Sequence, residues 1–219
     1  MTAESMSLLG LEKTSLRQQA LAALRRAITT GELPPGTHLV ETELSETLRI
    51  SRGTLREAMR QLQQEGLISA GARGRLSVRH LDSQEIRNIF AVRAALESLA
   101  ARELCALADR SEVLAALREA VNEMQRAADS GLEERIEADL EFHRTLCRLT
   151  GNATLLHSWQ SLEGSIRMSI MFAGVERAVR NMDVQRHSEI VDAIATGDAG
   201  LANEVIMSHM EGAATVLVA

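Results

Sequence analysis

The chain has 219 residues, of which 45% are hydrophobic and 25% charged, with a formal net charge of -6, a composition that excludes a disordered protein. No apolar run approaches the roughly 18 to 20 residues that a membrane-spanning helix needs, and the N-terminal MTAESMSLLG lacks the features of a secretory signal, so a cytoplasmic protein without membrane contact is expected. Two Pro, three Phe, one Trp and no Tyr favour a mainly α fold and exclude base stacking as the main mode of nucleic-acid binding.

The first 80 residues contain three helical segments followed by a hairpin. LRQQALAALRRAITT has apolar residues at helical spacing, and the segment GELPPG ends it. A second helix starts near Glu41, and Ser51 is a good N-cap for a third helix that stops at Gly66. LISAGARGRLSVRHL alternates apolar residues around a Gly-Ala-Arg-Gly tip and predicts two short strands. This order predicts a winged helix-turn-helix domain over residues 11–80.

From Asp82 onward the pattern has a helical period throughout. The predicted helices are 82–108, 111–129, 132–150, 152–173, 176–197 and 199–217. Six helices with short connections predict an antiparallel all-α bundle over residues 81–219. Cys105 and Cys147 have no CxxC spacing, so they are expected to be core thiols and not part of a disulfide framework.

The charge is divided unevenly between these two parts. Residues 1–80 carry a net charge of +3 and the remainder carries -9. Three arginines, Arg52, Arg56 and Arg60, form one ridge on the third helix, away from its apolar stripe. A solvated helix with arginines paired to nearby acids is one interpretation. A local basic patch that binds phosphate is the other.

The position of the ridge favours DNA, because a recognition helix enters the major groove with its N-terminal residues at the base edges, where Arg can bind guanine. Arg60, two turns into the helix, is expected to contact phosphate or to be structural. Arg73 and Arg75 at the hairpin tip are placed to reach an adjacent minor groove. The predicted DNA-binding residues are Ser51, Arg52, Thr54, Arg56, Arg60, Gly71, Arg73 and Arg75.

These residues also carry a family resemblance. The run ITTGELPPGTHLVETELSETLRISRGTLREAMRQLQQEGLI resembles the N-terminal domain of GntR-family bacterial transcription regulators. The resemblance implies that Arg52, Thr54, Arg56 and Gly71 with Arg73 correspond to the DNA-reading helix and wing of the family. Gly53-Thr54 replaces the common Pro-Val or Thr-Val, so the resemblance does not extend to the base preference of the family.

Four residues of the second part are candidate metal ligands. DLEFHRTL places Asp139 and His143 at i and i+4 on one helix face, and His187 and His209 lie on later helices. Spacing alone leaves two interpretations open. The four side chains could converge in the bundle, or each histidine could be an ordinary packed residue with Asp139 paired to a neighbouring arginine.

The second part resembles the FCD domain of the FadR branch of the GntR family. The motifs that carry the resemblance are RAALESLAARELCALA, DLEFH, RHSEIVDAIATGD and SHM, and six helices suit its shorter, VanR-like subgroup. The resemblance implies that Asp139, His143, His187 and His209 bind a divalent metal ion, and these ligands suit Zn, Ni, Mn or Fe. It also implies that arginines help to bind a carboxylate effector. Arg93 and Arg167 are the candidates, with an interhelical salt bridge as the alternative for each.

The expected function is a transcription regulator that is not an enzyme. A homodimer would bind a pseudo-palindromic operator, on the bacterial nucleoid, and a small organic acid at the metal would change that binding. A metal-sensing repressor is an alternative. A metal-dependent hydrolase is a further one, but the chain has no HExxH, no second metal cluster and no evident general base.

Overall fold

The computed structural model describes residues 15–71 and 74–219. The N-terminal elements are α1 (Leu16–Thr29), α2 (Glu41–Thr47), α3 (Arg52–Gln64), β1 (Ile68–Ala70) and β2 (Leu76–Val78). The C-terminal elements are α4 (Ser83–Cys105), α5 (Ser111–Ala127), α6 (Leu132–Arg148), α7 (Ala153–Phe172), α8 (Val175–Asn181), α9 (Val184–Thr196) and α10 (Ala199–Val218). This order confirms the predicted mainly α fold, a winged helix-turn-helix followed by an all-helical bundle.

The N-terminal part, called the head below, forms through the local signals visible in its sequence. Ser51 caps α3, and Gly66 ends the helix segment with a positive φ of 73°, a conformation that glycine adopts readily. The strands β1 and β2 pair antiparallel with Ile68 opposite Val78, and His38 forms an isolated bridge to Ser77 beside them. The hairpin is therefore tied back to the segment between α1 and α2.

The C-terminal part, called the bundle, has seven helices among the described residues and not the six predicted. The predicted helix 176–197 is broken into α8 and α9, because the Asp183 side chain accepts a hydrogen bond from the backbone N–H of Arg186 and starts a new helix. The seventh helix removes the reason for choosing the six-helix, VanR-like subgroup. No helix in the described ranges is long and apolar enough to cross a membrane.

The buried side chains form two hydrophobic clusters, one in the head and one in the bundle. The bundle cluster holds both cysteines, Cys105 and Cys147, as buried free thiols. Met168 on α7 belongs to the head cluster although its helix is part of the bundle, and Leu81 packs against both clusters. Helix α7 therefore joins the two parts.

Head and bundle approach each other closely at Gly164 on α7. A Cβ added there would lie 1.4 Å from the carbonyl oxygen of Glu65, the residue that follows α3. Nearby, Nη1 of Arg79 donates a hydrogen bond to Oγ of Ser165 at 2.6 Å. Only glycine at position 164 permits this contact, so the C-terminal end of α3 rests directly on α7.

Candidate DNA interface and metal centre

The N-terminal turn of α3 presents the first predicted DNA-binding residues. Oγ of Ser51 accepts a hydrogen bond from the backbone N–H of Thr54 at 3.1 Å and lies 2.9 Å from Oγ1 of Thr54. This cap fixes the direction in which α3 leaves the preceding loop. Arg52 comes next; it is exposed and forms no ion pair within residues 15–71 and 74–219. Its guanidinium is therefore available to a phosphate or a base.

Arg56 and Arg60 are exposed as well, and each has an acidic partner. Nε of Arg56 lies 2.7 Å from Oε2 of Glu41, a contact that joins α3 to α2. Nη2 of Arg60 lies 2.5 Å from Oε1 of Glu57, one turn away on α3 itself. Exposed pairs of this kind contribute about 0 to 1 kcal/mol, so DNA can compete with either partner. The two interpretations of the arginine ridge are thus compatible.

The wing places two more of the predicted residues in solvent. Gly71 and Arg75 are exposed, and the backbone N–H of Gly71 donates to the carbonyl oxygen of Arg75 at 2.8 Å. Gly74 has a positive φ of 72°, which closes the turn between them. Arg73, the remaining predicted wing residue, lies outside the described residues. The wing and the middle of α3 border the same face of the head, since Arg56, Arg60 and Gly74 line one cleft.

The candidate metal ligands converge inside the bundle. His143 on α6, His187 on α9 and His209 on α10 are buried, and one nitrogen of each lies within 4.8 Å of the others. Nε2 of His187 is 3.1 Å from Nε2 of His143 and 3.1 Å from Oδ1 of Asp139. Metal–nitrogen bonds of about 2.0 to 2.1 Å at right angles separate two nitrogens by about 3 Å. The separations of His187 from His143 and from Asp139 therefore match those of ligands around one small cation.

Outer contacts orient two of these imidazole rings. Nδ1 of His187 lies 2.7 Å from the carbonyl oxygen of Asp183, which can only accept, so Nδ1 is the donor. Nδ1 of His143 lies 2.6 Å from Oε2 of Glu97 on α4. Hydrogen bonds from Nδ1 to a carbonyl or carboxylate are the usual support of a histidine that binds metal through Nε2.

Glu97 itself accepts two further hydrogen bonds in the core. Nε of Arg93 donates to its Oε1 at 2.7 Å, and Nε1 of Trp159 on α7 donates to the same oxygen at 2.8 Å. The pKa of Glu97 lies above its ordinary value because burial raises it by more than the adjacent Arg93 guanidinium lowers it. Arg93 is buried and always charged, and the ionised form of Glu97 is the counter-ion in direct contact with it, which favours that form despite burial.

This arrangement leaves acceptors facing each other. With Nδ1 protonated on both rings, Nε2 of neutral His143, Nε2 of neutral His187 and Oδ1 of Asp139 all present lone pairs to one small space. A proton on His187 relieves the contact between these atoms. Even with that proton, Oδ2 of Asp139 and Nδ1 of His209 stay buried without a hydrogen-bond partner. A divalent cation relieves the contact and gives Asp139 a partner, so the residues fit a metal.

The ionisation of the ligands also suits metal binding. Burial lowers the pKa of His143 well below its ordinary value, and the Arg93 guanidinium lowers it further. The pKa of His209 also lies well below its ordinary value, because of burial first and then of the charges of His187 and His143. Burial acts to raise the pKa of Asp139, but His187, when it carries a proton on Nε2, outweighs burial through its hydrogen bond and its charge, so this pKa lies below its ordinary value. Neutral imidazoles and an ionised carboxylate are the forms that coordinate metals.

The two predicted effector arginines lie in different surroundings. Arg93 is buried beside the ligands, and besides its pair with Glu97 on the same helix it has a buried Nη2 without a hydrogen-bond partner. Arg167 on α7 forms an interhelical salt bridge with Glu137 on α6. It lines a cleft of about 540 Å³ between head and bundle, together with Arg25, Glu65 and Glu163 among others. Arg93 and not Arg167 is therefore the arginine next to the cluster.

Sequence reasoning missed Glu97 and Trp159. Glu97 stands at i+4 from Arg93 in RAALE, so helical spacing could have paired them, but its contact with His143 spans 46 residues and has no local signal. Trp159 carries no signal at all in a single sequence. Both are needed to connect the histidines to α7.

Comparisons with known proteins agree with both halves of this description. The profile of "Bacterial regulatory proteins, gntR family" matches residues 16–78, and the profile of the FCD domain matches residues 88–212. The chain is 29% identical over 202 residues to the probable D-xylose utilization operon transcriptional repressor of Paenarthrobacter nicotinovorans, covering 91% of this chain and 88% of that protein.

Two further similarities extend the comparison. A stretch of 131 residues is 37% identical to an uncharacterized HTH-type transcriptional regulator of Agrobacterium vitis, covering 58% of this chain and 76% of that protein. A solved structure of a GntR transcriptional regulator from Rhodococcus sp. RHA1 superposes with a TM-score of 0.75 at 24% identity, covering 92% of this chain and 97% of that one. The structural likeness concerns the fold.

Proposed function

Since the chain belongs to the GntR family of bacterial transcription regulators and carries an FCD domain, we propose that a small carboxylate-containing metabolite, bound at a metal in the bundle, modulates its binding to operator DNA. Like its relatives, the chain is a DNA-binding transcription regulator. It is not an enzyme. The proposal also places the protein in the bacterial cytoplasm, on the nucleoid when it is bound to DNA. Two relatives are named as repressors, and we infer repression here too.

The observation that carries the proposal is the convergence of Asp139, His143, His187 and His209 in one buried space, where Oδ2 of Asp139 and Nδ1 of His209 have no hydrogen-bond partner. A divalent ion held by these four side chains would supply a Lewis-acidic centre to which an effector carboxylate can bind. The chain's own contribution beside it is Arg93, whose buried Nη2 has no hydrogen-bond partner in the described structure and can donate to that carboxylate.

A route from this centre to the DNA-binding head supports the proposal. His143 contacts Glu97, Glu97 accepts from Trp159 on α7, and α7 continues to Gly164, where the end of α3 rests on it. A change in the position of Glu97 is therefore transmitted to α7, and a shift of α7 moves α3. The proposal places the coupling between effector and operator in this helix.

The DNA side of the proposal assigns base reading to Arg52 and Arg56 and phosphate contact to Arg60. One head has few such groups, so specific affinity requires two heads on a pseudo-palindromic site, which a homodimer provides. The effector then acts by changing the distance or angle between the heads.

The burial of the ligands favours a second candidate, in which the ion itself is the signal. His143 and His187 are 0% exposed and Asp139 is 1% exposed, which leaves an acid little access in this conformation. His209 lines a surface cleft of about 290 Å³ with Arg186 and Glu189. A metal sensor needs only an ion to enter, whereas an acid sensor must open the bundle.

One experiment separates these candidates. DNA selected by the purified protein from a random library gives a binding site, and binding to it is measured before chelation, after chelation, and after metal and candidate acids are restored. Elemental analysis of His143→Ala, with the exposed His157→Ala as the matched control, tests the ligand set. If DNA binding responds to acid only with metal present, acid sensing is supported. If metal alone restores the whole response, the ion is the signal. In the elemental analysis, a metal content of His143→Ala equal to that of the parent removes His143 from the ligand set.

A further inference from the structure

The ion pair between Arg56 and Glu41 differs from its neighbour on the same face. Glu41 is the first residue of α2 and Arg56 lies in α3, so the contact from Nε to Oε2 at 2.7 Å bridges the two helices of the helix-turn-helix. The pair of Arg60 with Glu57 lies within one helix, and both of its members are more exposed than Glu41, at 65% and 52% against 33%. Glu41 is therefore the better-anchored partner.

The atom that Glu41 contacts decides which edge of Arg56 remains available. A guanidinium has five N–H donors arranged in two edges, one with Nε and one with both Nη atoms. Glu41 accepts from Nε, and neither Nη of Arg56 has a hydrogen bond within the described residues. The edge with two parallel donors, which fits O6 and N7 of guanine, is thus directed away from the carboxylate.

Holding the guanidinium by Nε also reduces its freedom before DNA arrives. An exposed arginine carries about 2 kcal/mol of rotamer entropy, which a base contact must otherwise remove. A carboxylate next to DNA also repels the phosphates. The benefit of Glu41 should therefore appear in the choice between sequences and not in the total strength of binding.

We propose that Glu41 is a positioning residue for base reading, which orients the Nη edge of Arg56 toward a guanine in the major groove. The proposal rests on the assignment of Arg56 as a base reader. It adds a residue that lies outside the recognition helix and contributes through Arg56 alone.

The test compares binding to the selected site with binding to the same site altered at the base pair that Arg56 reads. The Arg56→Ala variant first identifies that base pair: it is the one whose alteration no longer changes the affinity of this variant for the site. Glu41→Ala should then reduce the ratio of the two affinities by about fivefold, while binding to random DNA is unchanged or stronger. Glu41→Gln keeps an oxygen that accepts from Nε, so it should retain more of the ratio. In the Arg56→Ala background, Glu41→Ala should leave the ratio unchanged.

The matched control is Glu57→Ala, which removes the acidic partner of Arg60 from the same face and should change the ratio much less. The proposal is overturned if Glu41→Ala strengthens binding to all DNA equally with the ratio intact, or if Glu41→Gln loses as much as Glu41→Ala. If Arg56→Ala itself leaves selectivity intact at every base pair, the base-reading role of Arg56 fails. That result is distinguishable from a failure of Glu41 alone.

Discussion

Nδ1 of His143 on α6 lies 2.6 Å from Oε2 of Glu97 on α4, and the same carboxylate receives the indole N–H of Trp159 on α7. One buried side chain thus fixes the orientation of a candidate metal ligand and the position of the helix that supports the DNA-binding head. A defect at Glu97 should therefore affect metal binding as well as the response of the head.

Glu97→Gln should lower metal affinity by about 10- to 100-fold, because it removes the charge that orients His143 and raises its basicity. Competition with a chromogenic chelator measures this. The substitution leaves Arg93 buried without its counter-ion, so unfolding should become easier by about 3 to 5 kcal/mol. If Glu97→Gln folds poorly, the double variant Glu97→Gln with Arg93→Gln removes both charges of the pair, and its metal affinity can be measured in its place. Metal affinity equal to the parent's in folded protein would exclude the outer-ligand role.

The metal-free protein should lose stability in mild acid. The pKa values of His143 and His209 lie below their ordinary value in the folded chain, so between about pH 6.5 and those lowered values the unfolded state binds more protons. Stability is then complete above about pH 6.5 and falls as the pH decreases, by at most about 1.4 kcal/mol per pH unit for each histidine. Urea unfolding of chelated protein at several pH values measures the slope, and His209→Gln should flatten it. The same slope in that variant would contradict the assignment.

The arginines of α3 should separate by the kind of DNA contact that they make. Arg56→Ala should cost about 1 to 3 kcal/mol at the selected site and relax the choice of base there. Arg60→Ala should weaken binding to selected and random DNA alike and reduce the salt dependence by about one counterion. Titrations of both DNAs at several salt concentrations measure these effects. Equal losses on both DNAs for Arg56→Ala would reassign it to phosphate.

Gly164→Ala should disturb the junction between head and bundle. The new Cβ would lie 1.4 Å from the carbonyl oxygen of Glu65, so α7 and the end of α3 must move apart, at a cost of about 1 to 3 kcal/mol. We expect lower thermal stability and a weakened effect of metal or effector on DNA binding. His157→Ala, an exposed position on the same helix, is the control. A normal response in a destabilised Gly164→Ala would place the coupling elsewhere.

Most of the fold could be predicted because its signals are local. The capping side chain of Ser51 predicts the start of α3. The i and i+4 spacing of Asp139 and His143 predicts that they share one face of a helix. The break between α8 and α9 was predictable in principle from Asp183, a good N-cap, but the continuous apolar period across it favoured one long helix.

The contacts around the candidate metal centre were beyond the sequence, since they join residues far apart in the chain. The Glu97 carboxylate was visible only as a helical neighbour of Arg93, and its bond to Trp159 spans 62 residues. Arg167 was predicted beside the effector from the resemblance, but the packing of α7 on α6 directs it to Glu137, in the cleft between head and bundle. Helical spacing gives the face on which a residue lies and not the partner opposite it.

Trp159 also gives the protein an intrinsic optical probe. It is the only tryptophan of a chain that contains no tyrosine, so ultraviolet-excited emission comes almost entirely from one indole, which is fully buried and hydrogen-bonded to Glu97. Its emission wavelength and lifetime therefore follow the electrostatic surroundings of the histidine cluster, without a label or an engineered residue. Recording this fluorescence while metal, acid or DNA is titrated would show, from one side chain, whether binding in one part of the molecule changes the surroundings of the indole in the other.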